Sequence, residues 1–135
     1  MNRQFAEQLL AAGRIKDRRR EYTIEEDGKE VTFTLVPMEA AEVAEYIQKA
    51  KEDAGNTGKH FAAACDVVVK HVKEFADMSQ AELEAIGELS KWDMVNKFIS
   101  YNNQVLIARA VMEFSGQAKR EQMDGFGALT ELLVN

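Results

Sequence analysis

One stretch limits the fold more than any other: Glu21-Tyr-Thr-Ile-Glu-Glu-Asp27-Gly28-Lys-Glu-Val-Thr-Phe-Thr-Leu-Val36. Asp-Gly favours a two-residue type I′ turn, because both central residues need φ > 0. A two-residue loop sets the register of the strands on either side. It puts Ile24 opposite Val31 and Tyr22 opposite Phe33, all on one face, and leaves Thr23 and Thr32 on the other. A three-residue loop would pair Glu25 with Val31 and mix the faces. The chosen register sets Glu25 against Glu30, a small cost between like charges. A two-stranded hairpin is marginal alone and has two open edges, so it must pack on helices or pair with another chain. Tyr22, Ile24, Val31 and Phe33 are therefore the candidate self-association edge of a homo-oligomer.

The remainder reads as helix. Apolar residues Phe5, Leu9 and Leu10 predict a short helix from Phe5 to Ala12, ended by Gly13. After Pro37 a helix runs from Glu39 to about Asp53, with Val43, Tyr46, Ile47 and Ala50 inside. Ala54 to Gly58 breaks it. A second runs from about Lys59 to Ala76 over Phe61, Cys65, Val68, Val72 and Phe75. Ser79 to Glu82 forms a capping box that starts a short helix with Leu83, Ile86 and Leu89 inside. Ser90 caps a long helix from about Lys91 to Phe114. Its stripe of Met94, Phe98, Tyr101, Val105, Ala108 and Met112 is flanked by Val95, Ile99 and Leu106. So wide an apolar face predicts a central helix with two neighbours. Asn102 borders it as a candidate buried polar residue. Gly116 ends the helix, and residues 117–135 are expected to be a mobile C-terminal segment with a short apolar piece from Ala128 to Val134. The expected architecture is a mainly α domain over residues 1–116, with an N-terminal β-hairpin at about 20–36 packed on a bundle of about four helices.

Chemistry is sparse. His60 and His71 share one side of a helix but lie roughly 16 Å apart along it, too far to share a metal. Cys65 points roughly 140° away from His60. It reads as a small buried residue and not as half of a nucleophilic pair. The carboxylates fall where solvated helix faces and a turn would put them. Gly55 to Lys59 lacks the spacing of a phosphate loop. The expectation is a non-enzyme with no catalytic, cofactor-binding or metal site.

Charge narrows the partners. The net charge is −6. Residues 14–20 hold five basic groups and one acidic, which leaves +4 there and −10 on the rest. The run reads first as a solvated connector. Next comes contact with the acidic body of this chain or a second copy. Nucleic-acid binding comes last, since no aromatic residues interleave to stack bases. One cysteine permits no internal disulfide, and neither a signal-like apolar stretch nor a membrane-length run is present, so the expected place is the cytoplasm. Met78, Met112, Met123 and Phe126 offer an adaptable apolar surface for a protein partner. The plainer reading puts Met94 and Met112 in the core.

The stretch from Glu26 to Ala50 combines a polar turn at Asp27-Gly28, a brief strand from Val31 to Leu35 and an acidic helix, ahead of an all-helical remainder. In this it resembles the tail assembly chaperones of long-tailed bacteriophages. The resemblance implies that the chain binds the long helices of the tape-measure protein in the host cytoplasm. It would keep them soluble until the tail-tube protein polymerises around them. It also implies a longer, frameshifted form in many phages, joined near the C-terminal segment. Two other functions fit the residues: a small helical adaptor or structural phage component without chaperone activity, and a regulator that touches nucleic acid through Arg14–Arg20.

Overall fold

The computed structural model describes residues 2–116. The expected C-terminal segment, with Met123, Phe126 and Ala128–Val134, lies outside the described residues. Asp27 and Gly28 adopt φ of 50° and 77°, as a type I′ turn requires. Strands β1 (Arg20–Glu26) and β2 (Lys29–Leu35) pair antiparallel in the predicted register, with Tyr22 opposite Phe33 and Ile24 opposite Val31. On the outer face the Thr23 and Thr32 hydroxyls hydrogen-bond at 2.8 Å. On the inner face Ile24 and Phe33 are buried, and Phe33 meets Phe75 with ring centroids 5.7 Å apart.

Among the described residues the chain also forms seven α-helical segments: α1 (Arg3–Ala12), α2 (Ala40–Glu52), α3 (Thr57–His71), α4 (Lys73–Ala76), α5 (Gln80–Ala85), α6 (Lys91–Phe98) and α7 (Tyr101–Phe114). A single 3₁₀ turn, Ile15–Asp17, lies between α1 and β1. The protein is mainly helical, and its hairpin packs against α3, α4 and α7. The centre is the contact of α3 with α7, where Ala64 and Val68 meet a solvent-free face of Val105, Ile107, Ala108, Val111 and Met112. Each valine, isoleucine or methionine side chain among them adds about 1.5–3 kcal/mol of hydrophobic stabilisation.

Both long predicted helices are broken, each by a tertiary hydrogen bond. At Val72 the backbone turns extended (φ −106°, ψ 116°) and bridges to Leu35, while Val36 N–H donates to the His71 carbonyl at 2.8 Å. Strand β2 thus claims the residues that would have continued the helix. The second break falls at Ile99 (φ −122°, ψ 124°). Here the Glu26 carboxylate, at the hairpin tip, accepts Ser100 N–H at 2.7 Å and Asn103 Nδ2 at 2.8 Å. Asn103 Nδ2 also donates to the Glu25 carbonyl at 2.8 Å. A carboxylate at the first turn of α7 also suits the positive end of the helix dipole.

This break rotates α6 relative to α7, and the predicted stripe splits. Val105, Ala108 and Met112 are buried, but Phe98 and Tyr101 are exposed. Tyr101 instead stacks on Phe61 at 4.8 Å. The buried polar residue of α7 is Gln104, not Asn102, which is exposed. Gln104 Nε2 donates to the Ile99 carbonyl at 2.8 Å and so satisfies the group that the break orphans.

Helix α2 follows its prediction closely, with Val43, Tyr46 and Ala50 buried and Ile47 packed against the core. At the far end of α7, Ser115 Oγ accepts Met38 N–H at 2.9 Å and donates to the Val111 carbonyl at 2.6 Å, joining the approach to α2 to the helix end.

Candidate functional site

Helix α5 begins at a capping box, in which Ser79 Oγ accepts Glu82 N–H at 3.2 Å and Glu82 Oε1 accepts Ser79 N–H at 3.4 Å. It lasts six residues. Gly87 then takes φ 77°, a left-handed conformation that ends the helix without steric cost. Ser90 starts α6 by accepting Asp93 N–H at 3.1 Å. Only Leu83 of the expected trio turns inward. Ile86 and Leu89 were expected inside, but they are 53% and 86% exposed, because the chain leaves helical phase at Ile86 and Gly87. Glu88 is buried in their place, with Lys97 Nζ 3.0 Å from its carboxylate.

The result is an apolar groove between α3, α5 and α6, with a volume of about 420 Å³. Val69, Ala76, Leu83, Leu89 and Trp92 form its apolar walls. Trp92 is fixed: its indole N–H donates to Asp66 Oδ1 at 3.2 Å, and its carbonyl lies 3.9 Å from Cys65 Sγ. The two lysines on the walls are engaged. Lys70 pairs with Asp66 at 2.9 Å, and Lys91 Nζ donates to the Ala76 carbonyl at 2.8 Å. A ligand entering the groove therefore displaces no lone charge from these walls. An exposed leucine, a positioned indole and engaged polar groups suit the apolar face of a helix from a partner. Sequence reasoning missed this site. Gly87 followed by Ser90, a helix stop and a helix start, was the signal that could have placed Leu89 on a loop.

A second, polar groove lies between α2 and α3. Two adjoining cavities of about 200 and 690 Å³ share Tyr46, Lys49, Ala63 and Asp66 as walls. At one end His71 Nε2 lies 3.0 Å from Glu42 Oε2. Burial, reinforced by the Asp66 charge, pushes the Tyr46 phenol far up, so it stays protonated. At Cys65 burial and then the nearby Asp66 and Asp93 charges raise the thiol pKa, which disfavours thiolate. Cys65 also lies roughly 240° round α3 from His71. Among the described residues, no group of three or more histidine, cysteine, aspartate or glutamate side chains could hold a metal ion.

The other candidates scatter. Met112 is fully buried in the core and Met78 is half-buried. Met123 and Phe126 lie outside the described residues. Of the hairpin set, Ile24 and Phe33 are buried within this chain, Tyr22 is half-buried, and Val31 is exposed near the tip. The backbone edges carry side-chain partners too: Thr34 N–H donates to Glu74 Oε1 at 2.6 Å on β2, and the Glu25 carbonyl accepts Asn103 on β1.

Residues Arg14–Arg20 are all exposed. Two cap their own backbone: Arg18 donates to the Gly13 carbonyl at 3.3 Å and Arg19 to the Lys16 carbonyl at 2.9 Å. Arg20 lies over the Phe114 ring at 4.9 Å. The Lys73 ammonium bonded to Asp77 holds that carboxyl below its usual range, and Arg19 and Lys91 act in the same direction.

No helix among the described residues is long and apolar enough to cross a membrane. Comparison with family models, curated proteins and solved structures finds no significant match to this chain.

Proposed function

We propose that this chain is a tail assembly chaperone of a long-tailed bacteriophage, which holds amphipathic helices of the tape-measure protein in the groove between α3, α5 and α6. The observation that carries the reading is Leu89, 86% exposed on the wall of an apolar groove that also holds Trp92. An exposed large apolar side chain beside a formed groove is a reason to look for a partner. The acidic body supports dispersal of the complex in solution. The resemblance over Glu26–Ala50 supplies the identity of the client.

The groove's size suits reversible holding. Two apolar client side chains seated there give about 3–6 kcal/mol of hydrophobic gain before the costs of association. One contact of that kind is weak. Many copies along one long client give lasting protection, yet each can leave when tube subunits arrive.

The test is co-expression with a candidate tape-measure protein. The wild-type chain should keep it soluble and co-purify with it, while Leu89→Ser combined with Ile86→Ser should lose both properties. A client that aggregates equally with the wild-type chain would sink the proposal.

A further inference from the structure

Helix α1 is complete as a helix and unused by its own chain. Asn2 Oδ1 accepts Phe5 N–H at 2.8 Å, and Gly13 N–H reaches the Leu9 and Leu10 carbonyls, each at 3.2 Å. Arg3 and Glu7 pair along the side at 3.2 Å. Yet none of its residues is buried. Phe5 and Leu9, one turn apart on one face, are each about half exposed, and Leu10 is more so. Ten residues are too few for a helix to persist in water on caps alone, since isolated helices shorter than ~12–15 residues are marginal. The apolar face of α1 therefore needs a surface to sit on.

We propose that this surface is the groove between α3, α5 and α6 of a second copy, so that two chains exchange their α1 helices. Three observations favour that occupant. The groove offers apolar walls with engaged lysines, matching a helix whose own charges are already paired. The connector that follows α1 carries +4 against −10 on the rest of the chain, so it is drawn to the acidic body of another copy. The groove is also left open by its own chain: no residue of α1 lines it. An exchange between two copies closes with twofold symmetry and uses each helix and each groove once, doubling the contact. Under the client reading above, α1 is a placeholder that a client helix displaces. That last step rests on the reading, whereas the docking of α1 does not.

Trp92, the single tryptophan, stands on the groove wall and reports its occupation. The experiment is sedimentation of the full chain with Trp92 emission recorded from roughly 1 to 100 μM, without client. The expected result is a dimer whose emission shifts to the blue as it forms. Phe5→Ser with Leu9→Ser should weaken association by about 100-fold, and Leu89→Ser should weaken it from the groove side. Circular dichroism checks that both variants remain folded, as their exposed positions predict. A chain that stays monomeric throughout overturns the proposal. So does blue-shifted emission independent of concentration, which would place α1 in its own groove. A dimer that survives both variants would equally overturn it, since another surface would then hold the copies together. Failure of client binding leaves each of these outcomes unchanged, so the two proposals fail separately.

Discussion

The N-terminal arm and the body behind it obey different rules. In the arm, residues 2–19, every side chain except Ala6 is exposed, and local chemistry alone shapes the chain. An asparagine cap, a glycine stop and an i,i+4 ion pair make α1 where the sequence predicts it. In the body, local preference is overruled twice. Val72 and Ile99 sit within runs that read as continuous helix, yet both are extended because the hairpin draws hydrogen bonds from the chain there. A helix that buries nothing follows its own sequence, whereas a helix in the core also answers to its neighbours.

Substitutions can break this contrast, beginning with the hairpin's hold on the core. Phe33→Ala should cost about 3–5 kcal/mol, since the ring is buried against Phe75. Urea unfolding measures it, and a loss below about 1 kcal/mol would mean that the hairpin is an ornament to the helices. Ser115→Ala comes next. It leaves the buried Met38 N–H without its acceptor and should cost about 1–3 kcal/mol by the same measurement.

Glu26→Gln sharpens the comparison through pH. Slight burial acts to raise the Glu26 pKa, but hydrogen bonds from Asn103 and Ser100 outweigh it and hold the carboxyl below its usual value. A depressed carboxylate stabilises the fold above its unfolded pKa, and that contribution fades as pH falls through the folded one. The wild type should therefore have the higher Tm near neutral pH, and the two curves should converge in acid. Parallel curves would show that Glu26 does not tie the hairpin to α7 as a charge.

The smallest effect belongs to the arm. Phe5→Ser with Leu9→Ser should change unfolding of the monomer by less than about 0.5 kcal/mol, because neither side chain is buried. Denaturation of the dilute protein is the check. A loss of several kcal/mol would show that α1 belongs to the body after all.

The groove illustrates what pattern reading overlooks. Leu83, Ile86 and Leu89 recur at helical spacing, and so they read as one buried stripe. Only Leu83 obeys, because Gly87 stops the helix between the first residue and the last. The error was physical: periodicity has meaning only while the helix lasts. Trp92 was not singled out at all, since its value comes from Val69 and Leu83 on other helices, which no local pattern brings beside it. Gln104 escaped for a similar reason. Its task is to satisfy the Ile99 carbonyl, a need that arises only once the hairpin has broken the helix.

By itself the sequence determined what neighbours in the chain decide. Asp27-Gly28 and its alternating flanks set the hairpin and its register. Caps and glycines placed α1, α2 and the start of α5. The mainly helical class followed from the spacing of apolar residues. Tertiary structure decided where the long helices end, which apolar residues face water, and that an apolar groove opens between α3, α5 and α6. These depend on hydrogen bonds and contacts between residues as far apart as Glu26 and Ser100. Local propensity amounts to tenths of a kcal/mol per residue. One buried side chain or one orphaned carbonyl outweighs it.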